Sequence, residues 1–359
     1  MPLQILAADF LLFNGNLMKL DTDIHNTVPN AKALYPYLSD YWIDQLQLTG
    51  FAGATDKYYP VGASVTARSD THPKGGGAAG SNLETLRKQA LDIPNTDIGI
   101  LNCLYAVDGI HNPDAALALS QAVNDWQLNE WLNKEPRLRA SIVVPPQYPE
   151  LAAEEIRRIG NRPEFVQVLL PVRAPQPYGN RNYHPIYKAA SECDLKIAIH
   201  FGGVPGTPAT PTGWPTFYIE EYAGMSSVFQ SQILSIISGG ILNHFPNLKM
   251  IFLESGWTWL PSLMWRFDKD WKGIRREIPW LTQSPSEYIR KHMRFSLTPT
   301  DAPPKSDALL EIIEQIGSED LILYSSDYPH NHDSTLPSGL PNALIQKIMH
   351  KNAQKFYGF

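Results

Sequence analysis

Apolar runs alternate along the chain with amphipathic stretches in which apolar residues recur at helical spacing. The runs predict eight strands, at residues 19–25, 97–104, 138–144, 165–172, 195–200, 248–254, 294–297 and 321–327. Helices are predicted between and after them, at residues 115–132, 149–159, 185–192, 227–243, 260–276, 305–317 and 339–350. Eight strands that alternate with helices favour an α/β fold of the (β/α)8 barrel type over an open sheet.

One segment interrupts this alternation. Residues 60–81 are rich in Gly, Ser, Thr and His and include the run Gly75-Gly-Gly-Ala-Ala-Gly80. We interpret them as a loop inserted after the first strand and helix, which could form a lid over a barrel mouth or a plain surface loop. No linker divides the rest of the sequence. Residues 1–359 are therefore predicted to form a single domain with its core at residues 19–350.

Three predicted strands end in side chains that commonly bind metal ions. The first ends in Asp23-Ile24-His25, and alternate residues of a strand point to the same side. The fifth strand ends in His200 and the eighth in Asp327. Because the C-terminal ends of barrel strands meet at one mouth, these groups should converge. Carboxylates and imidazoles are ligands of divalent metals, so we predict a metal site of Asp23, His25, His200 and Asp327.

Three of the strand-end residues are also catalytic candidates. Asp327 could take a proton from a metal-bound water, or be a turn or helix-cap aspartate. Glu254 ends the buried sixth strand, where an unpaired carboxylate is costly. It could be a metal ligand, a proton donor with a raised pKa, or a partner that orients a histidine. His200 precedes two glycines at 202–203, which let a substrate approach closely.

Three further residues are candidates for contact with a substrate. Arg173 follows the fourth strand and could hold a carboxylate through two hydrogen bonds, or lie on the surface. Trp257 follows the sixth strand and could line an apolar pocket for a ring, or pack against a helix. His330 follows the eighth strand on a predicted loop, where it either reaches the substrate or stays solvated.

Composition restricts the class of protein further. The 359 residues are 43% hydrophobic and 18% charged, with a formal net charge of -6, as in an ordinary globular protein. A negative charge without a basic cluster argues against a nucleic-acid partner and against binding to a membrane surface. No run reaches the roughly 20 apolar residues of a membrane span. We expect a cytoplasmic protein in which Cys103 and Cys193 are free thiols.

The strand-end motifs Asp23-x-His25, His200-Phe-Gly-Gly203 and Ser325-Ser-Asp-Tyr-Pro329 resemble those of the amidohydrolase-related family. Within it, the resemblance is to the branch of aminocarboxymuconate-semialdehyde decarboxylase and γ-resorcylate decarboxylase. Segments at 124–126, 136–145, 183–190 and 244–249 are similar to the same family. The resemblance implies a (β/α)8 barrel with one divalent metal at its C-terminal face. It also implies decarboxylation or hydrolysis of small carboxylated, often aromatic, compounds.

The chain departs from this family pattern at two strand ends. Asp23 stands where the family commonly has histidine or glutamate. Glu254 stands where the decarboxylases carry a histidine that works as acid or base. The fourth strand holds no lysine that could be carbamylated, so the resemblance implies a mononuclear rather than a binuclear site.

Three hypotheses of function follow. The first is a metal-dependent decarboxylase of a small carboxylated aromatic or unsaturated acid, with Zn²⁺ as the expected metal and Mn²⁺ as the alternative. The second is a metal-dependent hydrolase of an ester, lactone or amide. The third is a binding protein that kept the barrel and lost its chemistry. As partners we expect a small carboxylated substrate and a homodimer or higher homo-oligomer, since dimers are the commonest soluble oligomers.

Overall fold

The structure, a computed structural model, describes residues 19–54, 66–203, 208–303, 305–336 and 338–359. Within these residues, eight parallel strands pair in chain order. They are β1 (Leu20–Ile24), β2 (Ile98–Leu101), β3 (Leu138–Val143), β4 (Phe165–Arg173), β5 (Lys196–Gly203), β6 (Met250–Leu253), β7 (Met293–Ser296) and β8 (Ile322–Leu323). Each of the eight predicted strands overlaps an observed one. The predicted (β/α)8 barrel is confirmed.

Backbone hydrogen bonds close the barrel between its first strand and the segment after its last. The amide of Thr22 donates to the carbonyl of Tyr324 over 3.0 Å. The amide of His25 donates to the carbonyl of Tyr328 over 2.7 Å, and that of Asp327 donates to the carbonyl of Asp23 over 3.0 Å. Closure therefore brings together side chains that lie 302 positions apart in the sequence, such as His25 and Asp327.

Helices connect the strands. They are α1 (Asp40–Thr49), α2 (Leu83–Leu86), α3 (Pro113–Gln127), α4 (Pro149–Ile159), α5 (His184–Glu192), α6 (Tyr218–Ser238), α7 (Ile241–His244), α8 (Leu260–Ile274), α9 (Pro285–His292), α10 (Ser306–Ile316), α11 (Asn342–Gln346) and α12 (Asn352–Tyr357). Several begin with proline at their first position, where a missing amide hydrogen costs no helical bond. The Asn112 side chain caps α3 by accepting from the amide of Ala115 over 3.0 Å.

The helices α1, α2 and α12 lie outside the predicted ranges. Two further helices differ from the prediction in ways that local features explain. The helix predicted at 227–243 begins earlier, at Tyr218, and ends at Ser238. The break follows from Gly240, whose left-handed backbone (φ 73°) would place a Cβ 2.7 Å from the Trp280 ring. No helix is predicted where α9 lies, although a capping box between Ser284 and Glu287 marks its start.

The other sequence expectations about the fold have mixed outcomes. As a regular strand, β8 is shorter than the predicted run 321–327, and Asp327 at the end of that run adopts a left-handed backbone (φ 55°). Cys103 and Cys193 are free, as expected. In the part of the chain that the structure describes, no helix is long and apolar enough to cross a membrane.

Candidate metal centre

Four strand ends bring ionisable side chains into one buried cluster. Asp23 and His25 come from β1 and its end, His200 from β5, Glu254 from the residue after β6, and Asp327 from the segment after β8. All five are more than nine-tenths buried. Ligand atoms of the first four lie within 4.8 Å of one another, as expected for side chains arranged around one ion. The structure thus groups three of the four predicted metal ligands with Glu254. Asp327, the fourth, lies in a second and overlapping group with His25, Glu254 and His330.

Two imidazole nitrogens lie among three carboxylates. His25 Nε2 is 3.0 Å from Asp327 Oδ1, 3.4 Å from Glu254 Oε1 and 3.5 Å from Asp23 Oδ1. His200 Nε2 is 3.4 Å from Asp23 Oδ2 and 3.3 Å from Glu254 Oε1. Three carboxylates buried this closely repel one another unless positive charge lies among them. The cluster therefore favours a cation at its centre.

Hydrogen bonds on the far side of each imidazole orient the ring. His25 Nδ1 lies 2.8 Å from the carbonyl oxygen of Asn102, and His200 Nδ1 lies 2.8 Å from that of Phe201. A carbonyl oxygen only accepts, so both Nδ1 atoms donate a hydrogen. Each Nε2 is then the atom that faces the cluster, as in metal sites where a histidine donates its other N–H to a carbonyl.

Buried atoms of the cluster lack hydrogen-bond partners among the described residues. They include Asp23 Oδ2, His200 Nε2 and Glu254 Oε1. Unpaired buried polar atoms are costly; a divalent cation would satisfy Asp23 Oδ2 and His200 Nε2 at once, and a proton on the Glu254 carboxyl would satisfy Oε1. Imidazole nitrogen and carboxylate oxygen are a donor set that suits Zn²⁺ and also Mn²⁺. The residues present therefore fit one divalent metal.

Backbone conformation aims two of the carboxylates. Glu254 and Asp327 both have φ of 55°, in the left-handed region that non-glycine residues seldom adopt. Such conformations cost free energy and persist where the surrounding structure enforces them, often at functional sites. The amide of Glu254 donates to Ser296 Oγ over 2.9 Å, and the amide of Asp327 pairs with β1. Both turns are thus held in place by neighbouring strands.

Burial and mutual charge separate the pKa values of these carboxyl groups. Burial, followed by the charge of Asp327, raises the pKa of Glu254. Burial also acts to raise the pKa of Asp327, but His330 and His25 outweigh it and hold that pKa well below its usual range. Burial acts to lower the pKa of His25, whereas Asp23 and the other carboxylates raise it well above its usual value. Among the protein groups alone, a proton therefore favours Glu254 over Asp327.

Two further histidines contact Asp327 from the loop after β8. His330 Nδ1 lies 2.7 Å from Asp327 Oδ1 and 3.7 Å from Glu254 Oε1. His332 Nε2 lies 3.0 Å from Asp327 Oδ2 and 2.7 Å from the hydroxyl of Tyr222 on α6. His330 therefore lies at the cluster, as its candidate role requires. The contact of His332 with Tyr222 follows from no local pattern in the sequence.

The other substrate-contact candidates lie inside the protein. Arg173 is 5% exposed, and its guanidinium lies 3.4 Å from the carboxylate of Glu221 on α6. This placement contradicts the surface position that the sequence leaves open. Trp257 is fully buried and belongs to the main hydrophobic core, which is the packing alternative for this residue.

A cavity of about 50 Å³ opens beside His200. Its walls come from the ends of β2 to β5 and the following loops, and they are mostly apolar: Cys103, Leu104, Tyr105, Ala106, Val107, Val143, Val144, Leu169, Pro171, Phe201, Gly202 and Gly203, with Asp108. Pockets with apolar walls and a few polar groups at one end are typical binding sites for small molecules. The cavity could accept an apolar group next to the metal cluster.

The predicted insertion at 60–81 falls partly outside the described residues, which resume at residue 66. Its described part touches both segments that carry ligand candidates. Ala67 forms an antiparallel bridge with His330, and the amide of Thr27 donates to the carbonyl of Gly80 over 3.0 Å. The insertion therefore borders the mouth, and its role as a lid stays a prediction.

Comparison with known proteins places the chain in a family. The sequence profile of the amidohydrolase family matches residues 21–359, which is nearly the whole chain. The chain belongs to the amidohydrolase family. It is therefore an enzyme of that family rather than a binding protein without chemistry, and the resemblance seen in its strand-end motifs is confirmed.

Curated relatives belong to the branch that the sequence motifs resemble. A γ-resorcylate decarboxylase from Rhizobium sp. (strain MTP-10005) is 23% identical over 304 residues, which cover 77% of this chain and 91% of that protein. A 2-amino-3-carboxymuconate-6-semialdehyde decarboxylase from Dictyostelium discoideum is 24% identical over 275 residues, which cover 73% of this chain and 70% of that protein.

Solved structures share the fold of this amidohydrolase. A 5-carboxyvanillate decarboxylase from Novosphingobium aromaticivorans, complexed with manganese, has a TM-score of 0.70 at 19% identity, covering 96% of this chain and 97% of that one. An amidohydrolase from Mycobacterium avium subsp. paratuberculosis has a TM-score of 0.72 at 19% identity, covering 96% and 100%. These likenesses support the barrel fold.

Proposed function

We propose that this amidohydrolase-family enzyme is a metal-dependent decarboxylase of a small carboxylated aromatic or unsaturated acid. The observation that carries the proposal is the position of Glu254. Its buried carboxyl lies 3.3 Å from His200 and 3.4 Å from His25, and burial raises its pKa. A carboxylic acid beside the metal ligands is the group that replacement of a carboxylate by hydrogen requires. The names of the curated relatives support the same reaction class.

Asp23, His25, His200 and Asp327 would hold one divalent ion. Zn²⁺ is the first expectation, and Mn²⁺ is the alternative that the carboxylate-rich donor set also suits. When bound, such an ion neutralises a substrate carboxylate and stabilises negative charge on a neighbouring oxygen. The protein groups supply orientation and the proton.

Glu254 in its acid form would donate the proton. The proton adds to the substrate carbon that bears the carboxylate, and the bond from that carbon to the carboxyl carbon breaks. The electron pair of the broken bond stays with the protonated carbon, and the carboxyl group leaves as CO2. Glu254 ends the step as a carboxylate. His330, whose Nδ1 lies 3.7 Å from it, can return a proton from the side of the solvent.

The body of the substrate would enter the cavity beside His200. Apolar walls suit an aromatic or unsaturated skeleton, and His330 is the imidazole that would contact the bound acid at the mouth. Arg173, at the end of β4 and paired with Glu221, would hold the carboxylate of a bound substrate. Trp257 is buried in the main hydrophobic core, which favours a packing role over contact with the substrate.

Asp327 favours a second candidate, hydrolysis of an ester, lactone or amide. Because His330 and His25 outweigh burial and hold its pKa well below the usual range, Asp327 is ionised beside the metal cluster and can accept a hydrogen bond from a water there. A base at the end of the last barrel strand is what removal of a proton from an attacking water requires.

Product analysis distinguishes the two reactions. We would load the protein with Zn²⁺ or Mn²⁺ and offer 2,6-dihydroxybenzoate, 5-carboxyvanillate and further hydroxybenzoates, beside a panel of esters, lactones and amides. Release of CO2, with one deuterium on the product carbon when the reaction runs in D2O, would support decarboxylation. Cleavage of an ester, lactone or amide without release of CO2 from any acid would reject it in favour of hydrolysis.

A further inference from the structure

A chain of buried hydrogen bonds runs from the last helix through the barrel to the metal cluster. The hydroxyl of Tyr357, on α12, donates to Gln167 Oε1 over 2.7 Å. Gln167 Nε2, on β4, donates to Asn102 Oδ1 over 3.0 Å. Asn102 Nδ2, at the end of β2, donates to Asp23 Oδ1 over 2.8 Å. Tyr357 is 9% exposed, and the other three residues are fully buried.

In each hydrogen bond of this series, the donor and the acceptor are determined. Asn102 Nδ2 also lies 3.1 Å from the backbone carbonyl oxygen of Thr22, which only accepts, so the amide nitrogen of Asn102 faces Thr22 and Asp23 and the amide oxygen faces Gln167. Gln167 then presents its NH2 group to Asn102, and its oxygen can only accept from the Tyr357 hydroxyl. Ser141 Oγ reinforces this order, because it donates to Asn102 Oδ1 and accepts from Gln167 Nε2 over 2.9 Å. Neither amide can flip without losing bonds at both ends.

Asn102 contacts both members of the first metal-ligand pair. Its side chain donates to Asp23, and its backbone carbonyl accepts the Nδ1 hydrogen of His25 over 2.8 Å. Its own amide donates to the carbonyl of Ile24 over 2.8 Å, which places β2 in register with the end of β1. A shift of Asn102 would therefore change the orientation of an aspartate and a histidine together.

Tyr357, the residue at the far end of this series of hydrogen bonds, lies in the layer that fills the barrel interior. Tyr357 packs in one apolar cluster with Leu20, Ile100 and Phe356, residues of β1, β2 and α12. Its position is thus fixed by the barrel strands themselves. A phenol held this firmly offers a rigid donor for Gln167, whereas a loop residue would not.

We propose that Asn102 is a positioning residue for Asp23 and His25, and that Gln167 and Tyr357 hold it in place. The proposal rests on the proposed function, because it takes Asp23 and His25 to be metal ligands. Partners that orient metal ligands typically change metal affinity or activity by 10–100-fold when removed. A purely structural network would lower the stability of the fold and leave the affinity of the folded protein for metal unchanged.

The test measures the affinity of the metal-free protein for Mn²⁺ by electron paramagnetic resonance, and for Zn²⁺ by competition with a chelator. Asn102→Leu keeps the approximate shape and removes the donor, so affinity should fall about 10–100-fold. Tyr357→Phe removes only a hydroxyl at the far end and should lower affinity several-fold. The matched control is Tyr187→Phe, which removes the hydroxyl of a fully buried tyrosine that donates to the Tyr178 carbonyl over 2.7 Å. That control should bind metal as the wild type does.

A double variant tests whether Tyr357 acts through Asn102. Asn102→Leu combined with Tyr357→Phe should lose no more metal affinity than Asn102→Leu alone, because no hydrogen bonds then connect Tyr357 to Asp23. Additive losses, or equal losses for Tyr357→Phe and Tyr187→Phe, would overturn the proposal. If Asn102→Leu does not fold, the comparison of the two tyrosine variants still decides it.

Because the test measures metal affinity and not turnover, it distinguishes failure of the positioning role from failure of the proposed reaction. Metal affinity that responds to Asn102 in a protein that decarboxylates no acid would support the positioning role and reject the reaction. Decarboxylation with metal affinity that ignores Asn102 would do the reverse. A wild-type protein without affinity for any divalent ion would overturn both.

Discussion

The two halves of the barrel mouth are built from different kinds of side chain. The ends of β1, β5, β6 and β8 carry carboxylates and imidazoles, all buried within a few ångströms of one another. The ends of β2, β3 and β4 contribute mainly apolar side chains and backbone, which form the walls of the cavity. β5 belongs to both halves, since His200 faces the cluster and Phe201 lines the cavity.

This difference indicates that one half determines the reaction and the other half determines which molecule binds. Substitutions in the ionisable half should change metal binding and turnover, because they alter the groups that hold the ion or move the proton. Substitutions in the apolar half should change which molecule binds, because they alter the volume and polarity that the substrate meets. The division would be wrong if a substitution in the ionisable half changed only substrate binding, or if one in the apolar half changed metal binding.

The largest expected effect is loss of metal in His200→Ala. Removal of a direct ligand should lower metal affinity by more than the roughly 100-fold that loss of an orienting partner costs. The matched control is His111→Ala, at an exposed position, which should keep full occupancy. Elemental analysis after gel filtration measures both. A His200→Ala protein that retains one metal per chain would remove His200 from the site.

The dependence of metal binding on pH tests whether His25 is also a metal ligand. The carboxylates around His25 raise its pKa well above the usual value, in spite of its burial, so its Nε2 holds a proton at neutral pH in the metal-free protein. That proton must leave before the nitrogen can bind metal. The apparent metal affinity of the wild type should therefore rise with pH. Titrations at several pH values that give one constant affinity would contradict it.

Glu254→Gln should lower kcat by about 10²–10⁴-fold, the usual contribution of a general acid. Metal occupancy should stay near that of the wild type, because the ligand set keeps two imidazoles and two carboxylates. The proposed mechanism uses the acid form of Glu254, whose pKa burial raises, so the wild-type rate should fall as pH rises past that pKa. The variant should lack this fall.

The control for Glu254→Gln is Glu314→Gln, an exposed glutamate on α10 that should leave kcat and its pH profile unchanged. Steady-state kinetics and metal analysis on the same preparations separate three outcomes. Loss of both kcat and metal would make Glu254 a ligand. Near-normal kcat would leave Asp327 as the proton carrier.

In the apolar half, Leu104→Asp should raise KM about tenfold for a carboxylated substrate and leave metal affinity unchanged. Leu104 lines the cavity and is 47% exposed, so a carboxylate there costs little stability but repels an acid. Leu48→Asp, at a leucine that is 80% exposed on α1, is the matched control. A fall in kcat at unchanged KM would show that the halves are not separable.

The two halves also differ in how far the sequence predicts them. The strands and the barrel follow from apolar runs, because burial on both faces leaves a local signature. His25, His200, Glu254 and Asp327 can be found because each ends such a run. The ends of β2 to β4 offer no comparable signal, since an apolar side chain at a strand end does not show whether it lines a cavity or the core.

Interactions between distant segments escape prediction from sequence. The pairing of Arg173 with Glu221 and the chain from Tyr357 to Asn102 depend on side chains that only the closed barrel brings together. Asn102 itself carries a weak local signal, as a polar residue directly after the apolar run at 98–101. The rule that selects strand-end ligands also selects this position, but amide chemistry alone does not indicate a role beside a metal.

The smallest expected effect compares two glycines of the inserted segment. Gly80 and Gly76 both have left-handed backbones (φ 76° and 86°), so Ala at either should cost about 1–2 kcal/mol of stability. Only at Gly80 would the new Cβ meet another group, since it would lie 2.4 Å from the carbonyl oxygen of His25, whereas Gly76 has open space. Gly80→Ala should therefore displace the backbone that carries a metal ligand and weaken metal binding by about two- to fivefold. Gly76→Ala should unfold at a lower temperature with unchanged metal affinity. Equal metal affinities in the two variants would mean that the ionisable half tolerates movement of β1.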